Sequence, residues 1–408
     1  AAAVNLLADG ATKDSHADPK ELIRRGRRLA LALGVLSPAL VLVLLPITPS
    51  DGWKPTESGD PTWRIIALLA ISVGGPYVML ATTSPLLQRW LTQVDPAVNV
   101  SRLFAVSNFG SFLGLLSYPF LFERYLSSLE QTQLWSVAFL VYAALFALCA
   151  LLAFAQAGKA GSATVATAPS MARRGGPALL WLLYSGLGSV LLLATTNQIT
   201  QWSAVVPFLW IAPLSLYLLT FVIAFGDQRF YRRAHFTIAF LLLAALSYAL
   251  PTPDSATTLL VGIALQCATL FAGCMICHAE MVRIQPEPTR LPSFYLASAI
   301  GGALGGLVVA LLAPLLFKDY WEQAVAITIV AALALRLNAS EPGWLRRGLG
   351  PMLAGSAAIF LVAIVAQLAH EVSTSSEVVE RIRNFYGVVK VVRESEDVLA
   401  NIARVLAG

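Results

Sequence analysis

The stretch GCMICHAEM, Gly273 to Met281, sets Cys274, Cys277 and His278 in the C-x-x-C-H spacing that serves covalent attachment of a c-type haem. With Cys267, three thiols and an imidazole follow one another at spacings of 7, 3 and 1. That places them along one stripe of a helix and would suit zinc or a softer ion. Two arguments weaken these readings. Structural zinc sites usually set ligand pairs on turns, whereas this quartet runs through a continuous apolar segment. Haem attachment needs the motif on the outer face, whereas Arg283 and Arg290 follow closely and mark the cytoplasmic side. Structural cysteines with a helix-end His are therefore favoured, with a metal and a haem as alternatives, and no cofactor is expected. Cys149 is too far away in sequence to suggest a disulfide, and buried membrane thiols behave as small apolar groups.

A second set of polar residues sits where apolar runs end. SVGGPYVMLATTSPLLQRW from Ser72 and SGLGSVLLLATTNQITQW from Ser185 repeat one pattern, and each closes on an interfacial Trp, Trp90 or Trp202. Thr82, Thr83 and Gln88 in the first copy, and Thr195, Thr196, Asn197, Gln198 and Gln201 in the second, are candidate ligand contacts. Asn108 in the following helix would be a third contributor if the two clusters line a shared cavity. A looser echo pairs FAVSNFGSFLG from Phe104 with YLASAIGGALG from Tyr295. Its glycines, Gly110/Gly114 and Gly301/Gly305, together with Gly302/Gly306, form G-x-x-x-G pairs that let helix backbones approach, so they read as packing rather than function.

The elements that must carry these residues follow from composition. Over 408 residues the mean hydropathy is +0.71, with 57% apolar and only 12% charged residues, against roughly 25% charged in soluble domains. Apolar runs of membrane-spanning length, about 17 to 25 residues, fall near 29–48, 64–87, 103–122, 132–156, 177–197, 203–226, 235–251, 256–279, 292–317, 320–337 and 349–369. Continuous runs rather than alternating ten-residue segments mean helices, not a barrel. The expected fold class is an all-α polytopic bundle of about eleven helices. A polar segment, 1–28, precedes the bundle at 29–370, and a short β-prone tail, 371–408, follows it. No signal-peptide pattern precedes the first span, and without an initiator Met, Ala1 is not expected to be the natural start.

A net charge of +5 would suggest nucleic acid in a soluble protein, but its placement here has another cause, and no nucleic-acid partner is expected. Most of the 28 Lys and Arg residues fall on the side of the N-terminus, from the RRGRR run before Leu29 to Arg346 and Arg347. The opposite loops hold Lys54, Arg64, Arg124 and Lys318. The positive-inside rule then sets the N-terminus in the cytoplasm, and eleven spans put the tail outside. Every Asp and Glu lies in a loop, a terminus or a helix end, as do Glu123, Glu280, Asp319 and Glu322. A proton-coupled or polyamine carrier usually needs an intramembrane acid, so a stand-alone transporter is disfavoured.

The runs PTWRIIALLAISVGGPYVMLATTSPLLQRW, LFAVSNFGSFLGLLSYPFLFE, LLLATTNQITQWSAVVPFLWIAPLSLYLLTFVIAF, CMICHAEMVRIQPEP and FYLASAIGGALGGLVVALLAPLLF resemble the membrane region of bacterial fused major-facilitator-like/spermidine-synthase-like proteins. The resemblance covers most of 30–335 and continues at RNFYGVVKVV, Arg383 to Val392, which is similar to the first strand of the synthase-like part. It implies a major-facilitator-like bundle in the bacterial inner membrane, followed by a Rossmann-like domain that binds an S-adenosylmethionine-type nucleotide beside a polyamine. No such domain is expected within the stretch from Arg383 to Gly408, because a βαβ unit needs about 30 residues to hold its Gly-rich turn and that stretch holds no G-x-G-x-x-G. No catalytic residue is carried over, and this chain alone is not expected to be an enzyme. The expected role is a lipid-embedded module that anchors a soluble domain or protein partner and handles a polyamine-like solute. A non-catalytic accessory subunit and a small-solute transporter are the alternatives.

Overall fold

The computed structural model describes residues 62–94, 101–159, 177–202, 208–250, 253–287, 290–340, 343–375, 378–384 and 387–392. The expected span at 29–48 and the segment 1–28 lie outside the described residues. Apart from 203–207 and 251, which also lie outside the described residues, the remaining expected spans fall on helices. These are α1 (Thr62–Leu69, then Ala70–Gly74 and Gly75–Val94), α2 (Ser101–Ser117, then Tyr118–Phe122 and Glu123–Tyr125) and α3 (Ser128–Lys159). Next come α4 (Ala178–Trp202), α5 (Phe208–Gly226), α6 (Arg233–Ala249) and α7 (Ala256–Arg283). The last are α8 (Leu291–Leu307, then Val308–Leu312 and Ala313–Leu316), α9 (Trp321–Ala339) and α10 (Gly343–Ser375). Among the described residues, 8 helices are long and apolar enough to cross a membrane, and Trp63–Gly74 and Arg233–Ala249 are shorter apolar helices. The chain is an all-α polytopic membrane protein.

Helices α1, α2 and α8 each widen into a π-helical turn, at Ala70–Gly74, Tyr118–Phe122 and Val308–Leu312. A proline lies within or just past each turn, Pro76, Pro119 and Pro314. Proline offers no N–H and crowds the carbonyl four residues earlier, and a local i→i+5 turn absorbs that conflict inside lipid.

The described helices divide into two compact units, Ala1–Gly176 with Gln285–Leu296, and Pro177–Ile284 with Ala297–Gly408. In the first, α3 presents a ladder of rings, Trp135, Phe139, Tyr142 and Phe146, at helical spacing, with neighbouring centroids 5.3 to 6.2 Å apart. Phe146 stacks on Trp90 of α1 at 5.4 Å, and Thr83 pairs its hydroxyl with that of Tyr142. Among the described residues, α2 is one of the least covered helices, with only 11% of its apolar stretch buried.

The second unit is built on α7, whose buried residues run almost without break from Ala272 to Val282. Small residues make this possible. A Cβ on Gly273 would lie 2.8 Å from Phe240 and 2.9 Å from Leu191, and one on Gly188 would lie 2.8 Å from the His278 ring. The helix begins with a capping box in which Ser255 and Thr258 exchange side-chain and backbone bonds. Where α4 meets α8, a Cβ on Gly301 would fall on the Leu182 carbonyl and one on Gly305 on the Gly186 carbonyl. Ser185 donates to the Ser298 carbonyl at 2.7 Å across the same crossing.

Past α10, which continues to Ser375 rather than ending near 369, the tail forms an antiparallel hairpin, β1 (Val378–Asn384) and β2 (Gly387–Val392). Register sets Arg381 opposite Lys390 and Ile382 opposite Val389.

The glycine packing predicts a contrast. Gly301→Ala or Gly305→Ala should destabilise the protein by about 1–3 kcal/mol, because backbone rather than a mobile side chain blocks the new methyl. Gly110→Ala and Gly114→Ala, which meet nothing within 4 Å among the described residues, should be neutral. Thermal unfolding of each variant in detergent checks this, and equal losses at all four positions would contradict the packing assignment.

Candidate functional site

The hairpin does not hang free of the second unit. Arg383 forms a bidentate pair with Glu322 in the first turn of α9, Nη2 to Oε1 at 2.7 Å and Nη1 to Oε2 at 3.0 Å. The two side chains are only 4% and 3% exposed. Its Nη1 also donates to the Asp319 carbonyl, and the guanidinium lies over the Tyr320 ring at 4.6 Å. Arg381 and Lys390, cations directly opposite each other, would repel. Asp319 resolves this by taking both on Oδ2, at 3.0 and 2.6 Å. The face bearing Arg381 and Arg383 therefore meets an acidic loop, while Val379, Ile382, Val389 and Val391 stay exposed. Burial pushes the Tyr320 hydroxyl pKa up, with Arg383 opposing, so the phenol remains neutral and accepts from Gln201 at 2.9 Å.

Next to Glu322, Gln323 turns into the unit. Its amide nitrogen donates to Gln266 Oε1 of α7 at 2.7 Å and to Thr195 Oγ1 of α4 at 3.2 Å, all three side chains being buried. One turn further along α7, Thr269 shares a hydrogen bond with Ser247 of α6 at 3.3 Å. Beside this neutral polar tract lies a cavity of about 110 Å³, lined among others by Trp202, Ser247, Gly262 and Gln266.

The far end of the unit carries its own buried acid. Glu280 receives Arg233 through two bonds, at 2.7 and 2.6 Å, and the Tyr231 hydroxyl at 2.9 Å, with Arg283 at 3.4 Å. Burial and then the Glu280 charge push the Tyr231 pKa well up, keeping it a neutral donor. Arg283 lies over the Tyr231 ring at 5.0 Å. Asn338 at the end of α9 donates to Thr237 at the start of α6 at 2.9 Å. The 19 residues of α9, about 28 Å of helix, thus separate the Glu280 cluster from the hairpin.

Cys274, Cys277 and His278 lie in the interior of α7, each 0% exposed. His278 Nδ1 bonds Thr220 at 2.8 Å and its ring stacks on Phe221 at 3.8 Å, while Cys274 Sγ lies 3.7 Å from the Gly188 carbonyl. Among the described residues, no group of three or more His, Cys, Asp or Glu side chains is placed to hold a metal ion. The thiols and ring fill space between α4, α5 and α7.

The candidate ligand contacts fall in separate units. Thr82, Thr83, Gln88 and Asn108 belong to the first, and Thr195, Thr196, Asn197, Gln198 and Gln201 to the second. The side chain of Thr82 lies outside the described residues. Asn108 donates to the Phe104 carbonyl of its own helix at 2.8 Å, Gln88 to Ser84 at 3.2 Å, and Thr196 to the Leu192 carbonyl at 2.7 Å. Asn197 and Gln198 are half-buried on α4. Thr195 and Gln201 are the candidates drawn into the polar contacts at the hairpin end. Sequence reasoning missed Gln266, Gln323 and the pairing of Glu322 with Arg383. The available signal was a Glu-Gln pair at the start of an apolar helix and two arginines alternating in a short strand.

Comparison with protein-family models, with curated proteins and with solved structures gives no match. The functional reading therefore rests on the chemistry of the site.

Arg383→Ala would leave Glu322 buried without a partner, a loss of about 3–5 kcal/mol for pairs of this kind. Tryptic cleavage after Arg381 and Lys390 should rise steeply in that variant, and the double charge reversal Glu322→Arg with Arg383→Glu should restore much of the resistance. Unchanged cleavage in Arg383→Ala would show that the pair does not hold the hairpin.

Proposed function

We propose that this chain is the membrane module of a larger assembly and anchors an extramembrane domain or partner through its hairpin. One observation carries the reading: the hairpin is ion-paired to the bundle by one face and on the other leaves Val379, Ile382, Val389 and Val391 exposed beside Glu380. A two-stranded hairpin is marginal by itself, and an apolar face that does not meet the bundle is suited to cover by further protein. This agrees with the resemblance to fused major-facilitator-like/spermidine-synthase-like proteins, in which a soluble domain continues from this point. A non-catalytic accessory subunit would use the same surface.

Orientation follows from charge. Arg229, Arg232, Arg233, Arg283 and Arg336 mark the Glu280 end of the second unit, and the positive-inside rule sets that end in the cytoplasm of a bacterial inner membrane. The anchored part then lies outside. An eleven-span, N-in topology of major-facilitator type accommodates this.

Intact mass of the gene product, purified in mild detergent from its native membrane, tests the anchoring role. The expected result is a mass larger than 43.6 kDa by a whole domain, or a partner present at fixed stoichiometry. A bare chain with no companion would contradict it.

A further inference from the structure

The cavity at the end of α4 and the start of α7 lies at the same end of the second unit as the hairpin, yet no hairpin residue lines it. Its wall is mostly carbon: Trp202, Leu250, Pro253, Val261 and Leu265, with Gly262 leaving the space the indole occupies, since a Cβ there would lie 3.0 Å from Trp202. Among the described residues, no charged side chain lines it. A polyamine or any other cation would be desolvated there without a counter-charge.

The polar groups in the wall are mostly committed. Thr258 serves the cap of α7, and Ser247 shares its hydroxyl with Thr269. Gln266 is different. Gln323 uses its amide nitrogen on Gln266 Oε1 and Thr195 Oγ1, two acceptors for its two N–H protons. Gln266 is thereby held with its carbonyl engaged, and its NH₂ is the donor left for the cavity.

A space of about 110 Å³ would hold roughly three or four waters, each needing two to four polar partners. So carbon-rich a wall cannot supply them. A dry cavity of about 150 Å³ accepts benzene, so this smaller one suits a molecule below benzene in size, such as a four-carbon ring or a short branched chain.

We propose that this cavity binds a small uncharged molecule that presents one oxygen acceptor, of ketone or amide carbonyl type, to Gln266, with its carbon body against Trp202, Leu250 and Val261. This goes beyond the anchoring role and does not depend on it. Gln266 and Gln323 set specificity by leaving a buried donor unpaired when an analogue lacks the oxygen.

Cyclobutanone and its oxygen-free isostere methylenecyclobutane are the probes, titrated into the full chain in lipid nanodiscs with binding read by calorimetry and ligand-observed NMR. The expected result is saturable binding of cyclobutanone about fivefold tighter than the isostere. Gln266→Leu should bring the two to equal affinity, and Val261→Phe, which fills the cavity from its exposed rim, should abolish both. Absence of saturable binding, equal affinities in the unmodified protein, or a ketone preference that survives Gln266→Leu would each overturn the proposal. None of these results bears on whether the hairpin anchors a domain.

Discussion

A charge removed from water must be matched where it is buried, and the second unit is organised by two such matches. Glu322 with Arg383 closes one end, and Glu280 with Arg233, Tyr231 and Arg283 closes the other. In each, a carboxylate exposed by no more than 3% is engaged on both oxygens by a guanidinium, the geometry that makes a buried ion pair tolerable. Because the pairs join residues distant in sequence, they fix how the ends of α6, α7 and α9 and the hairpin meet. Between them the interior is neutral, and many of its polar side chains find one another or a nearby carbonyl, whereas Ser215 Oγ, the Tyr248 hydroxyl and His278 Nε2 are buried with no hydrogen-bond partner among the described residues.

Close packing in the middle depends on the absence of side chains. Gly188, Gly273, Gly301 and Gly305 occupy places where a methyl would strike a ring or a carbonyl. Gly188 and Gly273 let α4 and α6 close on α7, and Gly301 and Gly305 let α8 close on α4. The cysteines and His278 belong to the same economy of space: Cys274 and Cys277 pack as small groups, and His278 fills the gap opposite Gly188 with its Nδ1 held by Thr220. The C-x-x-C-H spacing thus falls on buried packing positions of α7, where the His278 ring meets a glycine.

Much of the helical architecture was legible in the sequence, because hydrocarbon imposes long uninterrupted apolar runs. The run at 235–251 reads as the shortest, and α6 is one of the two short apolar helices. G-x-x-x-G at Gly301/Gly305 reads as packing and packs. The identical spacing at Gly110/Gly114 meets nothing within 4 Å among the described residues, since a local motif does not say which helix face finds a neighbour. The polar site was only partly legible. Thr195 and Gln201 stand out at the end of an apolar run, but their partners Gln323 and Tyr320 lie more than a hundred residues away. Glu322 reads as one more helix-end acid, because burial at a membrane end depends on what docks there, here a strand near the end of the chain.

Hydrogen–deuterium exchange of the hairpin amides, with the full chain in lipid nanodiscs, tests the central claim most directly. If the ion pairs dock the hairpin on the bundle, amides between Arg381 and Val392 should exchange at least about a hundredfold more slowly than in an unstructured peptide, and Glu322→Gln should erase most of that protection. Exchange at the unstructured rate in the unmodified protein would contradict the account, because a marginal hairpin shows no such protection unless something holds it.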